Sequence, residues 1–313
     1  MEEYAGAAKY KNDRKSVVTI GTFDGVHIGH KAILKRLITS ADKNDLDSVL
    51  LTFFPHPRMV LQPDSDLKLI NTIAEKKEQL EALGLDHLII HPFTNAFSRL
   101  TALEYVRDIL VNTLKAKKII IGYDHRFGRN RTANIDDLKE FGITYGFEVE
   151  EISAQELDEV AVSSTKIRKA LNAGDITTAN NYLGYPFMLS GVVVPGKAKG
   201  RTWGFPTANL KVDAPYKLIP KKGVYVVQAM IDNERVYGIT SIGTNPTVGG
   251  KETTIETYFL DIDKHLYNQP LRIEFLTHIR DEIKFEGAKA EQELIAAIKK
   301  DERFARDYIG KLE

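Results

Sequence analysis

The chain has 313 residues, which is enough for two ordinary domains with sizeable cores. Lys plus Arg and Asp plus Glu both number 43, so the net charge is zero and we expect no nucleic-acid partner. The sequence has no cysteine, which excludes disulfides and thiolate chemistry. It also has no apolar N-terminal segment and no apolar run long enough to span a bilayer, so we expect a cytoplasmic protein with no membrane partner.

Short apolar runs alternate with helical patterns from Ser16 to about Ile152. The predicted strands are 17–22, 48–54, 87–91, 118–122 and 148–152, and the predicted helices are 31–41, 73–83, 102–114 and 135–145. This alternation predicts an α/β domain with a parallel sheet, in which a ligand lies beyond the carboxyl ends of the strands.

The turn after the first strand, residues 21–30, reads Gly-Thr-Phe-Asp-Gly-Val-His-Ile-Gly-His. Its three glycines allow close approach of backbone to a ligand. His27 and His30 stand where a new helix presents free N–H groups and a partial positive charge. The pattern predicts a phosphate site, and the alternative is a glycine-rich turn with two surface histidines.

The turn resembles the H-x-G-H signature of the nucleotidyltransferase superfamily, and the whole string is most similar to bacterial FAD synthetases. The resemblance implies a Rossmann-like nucleotidyltransferase sheet whose chemistry takes place at the α-phosphate of ATP. His27 and His30 would then stabilise charge on the α-phosphoryl group. The other residues implied to bind ATP are Thr22, Phe23, Asp24 and Gly29.

Two loops follow later strands. Pro55-His56-Pro57 is a stiff loop on physical grounds alone, and it is similar to the P-H-P loop that lies near the flavin in FAD synthetases. Residues 122–131 hold three arginines suited to phosphates, or alternatively to a solvated surface. The resemblance implies flavin contacts for Pro55, Pro57, Asp124 and Arg126, although His125 and Ala133 depart from the family pattern.

Residues 162–171 form a predicted helix start with Ser163 or Ser164 as its N-cap. Capping alone explains the hydroxyl groups, but a helix N-terminus with adjacent cations also forms an anion site. The run is similar to the S-S-T-x-I-R motif of FAD synthetases. The resemblance implies that Ser164, Thr165 and Arg168 hold the β- and γ-phosphates of ATP.

The pattern changes near Gly184-Tyr185-Pro186, which ends a helical stretch at 172–183, so the predicted domains are 1–185 and 186–313. The predicted strands after the boundary are 189–194, 224–231, 236–242, 253–260 and 271–276. They indicate a small antiparallel β-barrel, with one helix at 288–300 packed on its outside.

Between the first two of these strands, residues 196–209 are rich in glycine and cations and end in Pro-Thr-Ala-Asn. Backbone N–H groups of such a loop can wrap phosphates, and Thr207 and Asn209 carry oxygen ligands suited to Mg²⁺. The alternative is a mobile hairpin loop. The run resembles the G-x-x-x-G-R-x-x-G-F-P-T-A-N signature of riboflavin kinases, with Trp203 where Leu is common. The implied phosphate ligands are Lys199, Gly200 and Arg201.

Later motifs are also similar to riboflavin kinases, among them Ile255-Glu256-Thr257-Tyr258. Glu256 alternates with apolar neighbours, so its carboxylate lies on one face of the barrel. An ordinary exposed strand glutamate would look the same. The resemblance implies that Glu256 is the catalytic base.

The resemblance covers residues 16 to about 301 in two motif sets and identifies the chain as a member of the bifunctional riboflavin kinase/FAD synthetase family. It implies ATP-dependent conversion of riboflavin to FMN and of FMN to FAD, with Mg²⁺ as cofactor. Two alternatives remain at this stage. One is a nucleotidyltransferase for another phosphate ester with a substrate-binding barrel, and the other is a non-enzymatic flavin-sensing protein.

Overall fold

The structure, a computed structural model, describes residues 1–123, 125–153, 162–196, 200, 203–247, 250–262 and 264–312. Its internal contacts divide the chain into two compact units, Met1–Ser164 and Thr165–Glu313. The predicted domain boundary between 185 and 186 divides the chain between its two motif sets, whereas the contacts divide it after Ser164. The boundary at 185 stays a prediction.

A six-stranded parallel sheet forms the first unit, in the order β1-β4-β3-β2-β5-β6. The strands are β1 Glu2–Tyr4, β2 Ser16–Ile20, β3 Asp47–Phe53, β4 His87–His91, β5 Ala116–Gly122 and β6 Glu148–Ile152. β2 lies between β3 and β5. β3 and β4 extend the sheet on one side of it, with β1 at the edge, and β5 and β6 extend it on the other. The loop after β2 therefore lies where parallel sheets form ligand crevices.

Both faces of this sheet are buried. Val18 and Ile20 of β2 belong to one core cluster and Val17 to another, because alternate residues of a strand face opposite sides. All five residues of β2 are buried, as expected for a central strand of a parallel sheet. The edge strand β1 was missed by the sequence patterns because it is only three residues long and carries Glu2 and Glu3.

Five helices accompany the sheet among the described residues. They are α1 Ile28–Lys43, α2 Pro57–Leu61, α3 Ile73–Glu81, α4 Ala102–Glu104 and α5 Ile135–Tyr145. α4 runs directly into a π-helix, Tyr105–Thr113, so the helix predicted at 102–114 is present with a wider turn. α1 begins three residues earlier than predicted because the His27 side chain accepts from the His30 amide and caps it.

The second unit contains a closed barrel in the order β10-β11-β8-β7-β12-β9. The strands of the barrel are β7 Met188–Val194, β8 Thr207–Lys211, β9 Gly223–Ile231, β10 Glu234–Thr247, β11 Gly250–Phe259 and β12 Pro270–Asp281. The helices of this part of the chain are α6 Ser164–Ala173, α7 Ile176–Leu183 and α8 Ala290–Ile309. The predicted fold class, a parallel α/β sheet followed by an antiparallel barrel, is confirmed.

Three details of the second unit differ from the sequence predictions. The sequence pattern predicts a glycine loop up to residue 209, but β8 begins at Thr207 and supplies the sixth strand that closes the barrel. The helix predicted at 172–183 is broken, because α6 ends at Ala173 and Asp175 caps α7. α8 continues nine residues beyond 300 and buries Ala305 against the barrel cluster that contains Val224 and Val226.

Candidate active sites

The H-x-G-H turn between β2 and α1 has an unusual backbone. Phe23, Gly25 and Val26 have φ angles of 45°, 90° and 35°. Positive φ is rare for non-glycine residues and strained for a β-branched valine, at about 1–3 kcal/mol each. Phe23 and Val26 are also buried, so the surrounding contacts hold this conformation. Such a fixed, strained turn is typical of a ligand clamp.

Two side chains hold the beginning of the turn through one carbonyl group. The hydroxyl of Thr52 on β3 donates to the Thr22 carbonyl oxygen at 3.1 Å, and Nζ of Lys76 on α3 donates to the same oxygen at 2.7 Å. Thr52 and Lys76 are both buried. The entry to the turn is therefore fixed from two neighbouring elements.

Asp24 fixes the middle of the turn. Its carboxylate is buried and accepts hydrogen bonds from the Ile70 amide at 3.0 and 3.1 Å. Its carbonyl oxygen accepts from the Ser164 hydroxyl at 2.8 Å. The first residue of α6 thus contacts the H-x-G-H turn across 140 residues of sequence. This contact gives Asp24 a structural task, and its predicted contact with ATP stays a prediction.

The two histidines form a stacked pair at the start of α1. Their ring centroids are 3.6 Å apart, and the Phe23 ring lies 4.7 Å from the His30 ring. Nδ1 of His27 accepts from the His30 amide at 3.3 Å, so a neutral His27 carries its proton on Nε2. Gly29 leaves room for this ring, because a Cβ there would lie 3.3 Å from His27 Nδ1.

Burial decides the protonation of the pair. It lowers the pKa of His27 to about 4, against a smaller opposite effect of Asp24. The pKa of His30 lies well below its usual value, first because of burial and then because of His27 and the positive charge of Lys76. At neutral pH both imidazoles are therefore neutral groups that can each donate one N–H.

The predicted flavin contacts lie at strand ends of the same sheet. Pro57 is the first residue of α2, and Nδ1 of His56 accepts from the Arg58 amide at 3.1 Å. The stiff loop is thus a helix start, and its flavin contact stays a prediction. Arg126 is exposed and forms no ion pair with any described carboxylate. Asp124 lies outside the described residues.

The remaining ATP candidates of this motif set lie on α6. Thr165 is exposed and Arg168 is half-buried. Both belong to the second unit, whereas Ser164 belongs to the first. Their predicted contacts with the β- and γ-phosphates stay predictions.

Paired strands bring three predicted residues of the barrel together. Glu256 on β11 stands opposite Asn209 on β8, and Tyr258 stands opposite Thr207. Residues two apart on a strand share a face, so Thr207, Asn209 and Glu256 point to the same side. Thr207 Oγ1 donates to Glu256 Oε2 at 3.4 Å. Glu256 is half-buried, whereas its neighbours Ile255 and Thr257 are buried.

Two glycines before β8 lie very close to neighbouring groups. A Cβ on Gly196 would lie 2.2 Å from Nδ2 of Asn209, and a Cβ on Gly200 would lie 2.3 Å from the Phe205 carbonyl oxygen. Only glycine fits at these two positions without displacement. Lys199 and Arg201, the predicted phosphate ligands, lie outside the described residues.

The loop and the barrel are also tied to α8. The indole N–H of Trp203, the residue that replaces the usual leucine, donates to Glu291 at 2.7 Å. Arg280 on β12 donates to both oxygens of the buried Asp301 on α8, at distances from 2.8 to 3.2 Å. A cleft of about 60 Å³ beside Thr207 is lined by Val193, Pro206, Lys264, His265 and Tyr267.

Two family models match the chain, one for each motif set. The model described as FAD synthetase matches residues 9–166, and the model described as riboflavin kinase matches residues 183–309. A bifunctional riboflavin kinase/FMN adenylyltransferase from Listeria monocytogenes is 36% identical over 303 residues, which cover 96% of this chain and 95% of that protein. The chain belongs to the bifunctional riboflavin kinase/FMN adenylyltransferase family. These matches confirm the predicted family and its two activities.

Two further proteins are similar over nearly the whole chain. The Escherichia coli member of the family is 36% identical over 297 residues, covering 94% of this chain and 93% of that protein. The crystal structure of a protein named as a macrolide-efflux protein from Streptococcus pneumoniae has a TM-score of 0.87, is 31% identical and covers 97% of this chain and 98% of that chain. In the part of this chain that the structure describes, no helix is long and apolar enough to cross a membrane.

No motif of the sequence marks Lys76 as part of the candidate site. It stands four residues before Leu80 and seven before Leu83, on the apolar stripe of the predicted helix 73–83. A lysine on such a stripe is the signal that could have found it.

Proposed function

We propose that the first unit transfers the adenylyl group of ATP to FMN, giving FAD and pyrophosphate, and that the barrel transfers the γ-phosphoryl group of ATP to riboflavin, giving FMN and ADP. The observation that carries the second half is the placement of Thr207, Asn209 and Glu256 on one face of two paired strands. The first half is supported by the fixed turn with two neutral histidines at a helix N-terminus.

In adenylyl transfer, an oxygen of the FMN phosphate forms a bond to the α-phosphorus of ATP while the bond to the pyrophosphate oxygen breaks. No covalent enzyme intermediate is needed, so catalysis consists of positioning and charge stabilisation. His27 and His30 each donate an N–H toward the α-phosphoryl oxygens, where negative charge develops. The free amides at the start of α1 add to the same field.

The leaving pyrophosphate and the flavin need their own contacts. Ser164, Thr165 and Arg168 hold the β- and γ-phosphates. The Ser164 hydroxyl donates to the Asp24 carbonyl oxygen of the H-x-G-H turn, so Ser164 would meet phosphate through its backbone N–H at the start of α6. Pro55, Pro57 and Arg126 lie against the flavin of FMN. Half-buried rings support this placement, because Phe53 at the end of β3 packs on Phe93 and Phe97 at 5.7 and 5.6 Å, beyond the ends of strands.

In riboflavin phosphorylation, the Glu256 carboxylate accepts the proton of the riboflavin 5′-hydroxyl as that oxygen attacks the γ-phosphorus. The bond from the γ-phosphorus to the ADP oxygen breaks at the same step. Thr207 orients the carboxylate through its hydrogen bond at 3.4 Å.

Magnesium fits the donor set of the barrel face. Thr207 offers a hydroxyl oxygen and Asn209 an amide oxygen, which are hard ligands of the kind that Mg²⁺ takes alongside phosphate oxygens. Gly196 supports this assignment, because any larger residue would displace the Asn209 amide. When bound, the ion would neutralise charge on the ATP phosphates. A cytoplasmic location remains our prediction from the cysteine-free sequence.

Incubation of the full chain with riboflavin, ATP and Mg²⁺, followed by chromatographic separation of riboflavin, FMN and FAD, tests both activities at once. We expect FMN to appear first and FAD after it. A chain that makes no FMN from riboflavin but adenylylates another phosphate ester would instead support the nucleotidyltransferase alternative. A chain that binds flavin and makes neither product would contradict the proposal.

A further inference from the structure

Helix α3 buries a lysine directly behind the H-x-G-H turn. Lys76 is 4% exposed, and its neighbour on the same buried stripe is Leu80. Its ammonium donates to the Thr22 carbonyl oxygen at 2.7 Å, and no described carboxylate lies within ion-pair distance of it. A buried cation without a direct ion pair carries a large desolvation penalty, which leucine or methionine at this position would avoid. Such a group is a candidate for a functional role.

The charge of Lys76 reaches the centre of the candidate site. It helps to lower the pKa of His30, after the larger effect of burial. Asp24 is the charged group that acts on Lys76 in return, but its carboxylate and the Lys76 ammonium form no direct ion pair. The positive charge of Lys76 is therefore only partly balanced, and it lies behind the turn that would receive the polyphosphate of ATP.

The position of the contact also matters for the shape of the turn. Thr22 immediately precedes Phe23, whose φ of 45° begins the strained part of the loop. Thr52 holds the same carbonyl oxygen from β3. Without the ammonium, the Thr22 carbonyl would keep one donor instead of two. The loop would then relax toward a less strained conformation and displace His27 and His30.

We propose that Lys76 is a positioning residue for adenylyl transfer, where its ammonium fixes the Thr22 carbonyl and supplies a positive charge behind the ATP phosphates. This inference rests on the proposed FAD synthesis by the first unit. It predicts that removal of the Lys76 charge weakens both ATP binding and turnover, because the geometry of the H-x-G-H turn and the attraction of the ammonium for the phosphates are lost together.

The pH profile offers a readout that a merely structural residue would not give. Burial lowers the pKa of Lys76 to about 8, with Asp24 acting in the opposite direction. The titratable groups around it are Asp24 in the turn, His27 and His30 at the start of α1, and Glu75 on its own helix. Between pH 7 and 9 the two histidines stay neutral, and phosphate groups with a second pKa near 6 are already ionised.

The test measures FAD formation from FMN, ATP and Mg²⁺ by the full chain, comparing Lys76→Met with Lys77→Met. Lys77 is the matched control, because it is the next residue on α3 and its ammonium pairs with Glu3 at the surface. We expect Lys76→Met to lower kcat/KM for ATP at least tenfold and Lys77→Met to stay within twofold of the parent. FMN formation from riboflavin should be unchanged in both variants.

The parent enzyme itself provides the second measurement. Its kcat/KM for ATP in FAD synthesis should fall between pH 7.5 and 9, and the Lys76→Met profile should be flat over that range. Equal kcat/KM for Lys76→Met and the parent, or a parent profile that is flat to pH 9, would overturn the role of Lys76. A parent chain that makes no FAD from FMN would overturn the proposed function instead.

Discussion

The two candidate sites are built in opposite ways. In the first unit the proposed chemistry lies on a strained turn, which is fixed by contacts from the side chains of Thr52, Lys76 and Ser164 on three other elements. In the barrel it lies on paired strands, where the backbone ladder places Glu256 opposite Asn209. A strand ladder fixes geometry through a series of backbone hydrogen bonds in register, whereas this strained turn depends on single side-chain contacts.

This difference predicts how each site responds to mutation. Removal of a side chain from the barrel face should remove its chemistry and leave its neighbours in place. Removal of a supporting side chain from the turn should shift groups that it does not touch. Mutations in the barrel should therefore act mainly on kcat, and mutations around the turn should affect both kcat and KM.

The largest effect is expected for Glu256→Gln. Glutamine keeps the shape of the side chain but cannot accept the proton of riboflavin at neutral pH. Riboflavin phosphorylation should fall about 10²–10⁴-fold, mainly in kcat, while FAD synthesis from added FMN stays at the parent level. Separate assays of the two half-reactions measure both values.

Glu274→Gln is the matched control for this change. Glu274 is a carboxylate on β12 of the same barrel and accepts from Gln228 at 2.7 Å, away from Thr207 and Asn209. It should leave both reactions within about twofold. If Glu256→Gln phosphorylates riboflavin at the parent rate, Glu256 is an ordinary strand residue and the base lies elsewhere.

The second effect is expected for His30→Ala in the other unit. The change removes one N–H donor from the α-phosphoryl group, which typically costs about 10²–10³-fold in rate. It also removes the ring that contacts both Phe23 and His27, so KM for ATP should rise as well. FMN formation in the same sample serves as the internal control. Nearly full FAD synthesis would contradict the role of His30.

A third prediction concerns the segment between the two family models. The first model ends at residue 166 and the second begins at residue 183. Within this segment, Asn180 of α7 donates to the Phe275 carbonyl at 2.7 Å and accepts from the Phe187 amide at 2.7 Å. Loss of both bonds in Asn180→Ala should lower the free energy of unfolding by about 1–3 kcal/mol. Thermal unfolding measures this loss, with the exposed neighbour Asn181→Ala as control. Equal melting temperatures would show that α7 adds little to the barrel.

The histidine pair predicts an acid sensitivity of the first unit. His27 has a pKa of about 4 in the folded chain, against about 6.5 when unfolded. The unfolded state therefore binds more protons between these values, and stability is lost as the pH falls from 6.5 toward 4. His27→Gln should reduce this loss in denaturant titrations at pH 6.5 and 4.5. An unchanged difference between the two pH values would show that His27 does not carry it.

The sequence predicted most of the fold because long apolar patterns dominate it. β4 and β6 occupy the predicted residues, and α5 begins after the capping residue Asn134. The short strands β1 and β8 were not predicted, because three to five residues with exposed charges or polar groups show no clear alternation of apolar and polar residues. Their pairing depends on partners distant in sequence, which no local pattern reveals.

The candidate sites were predicted where chemistry lies in contiguous motifs. His27, His30 and Glu256 each stand in such a motif. The supporting contacts of Thr52 and Lys76 were not predicted, because each belongs to an element whose pattern indicates only core packing. Their hydrogen bonds reach a carbonyl group that lies 30 or 54 residues away in the sequence, and no local pattern of residues indicates such a contact.

The smallest effect is expected for Gly29→Ala, and it separates geometry from stability. The new Cβ would lie 3.3 Å from Nδ1 and Cε1 of the His27 ring, so the ring must shift by a few tenths of an ångström. FAD synthesis should fall only a few-fold. Alanine favours the helix by up to about 1 kcal/mol over glycine, so thermal stability should stay constant or rise. Thr39→Ala, at an exposed position of α1, shares the helical gain without touching His27 and should leave FAD synthesis unchanged. If Gly29→Ala lowers activity and stability together, the turn is failing to fold and the fine placement of His27 is not what limits the reaction.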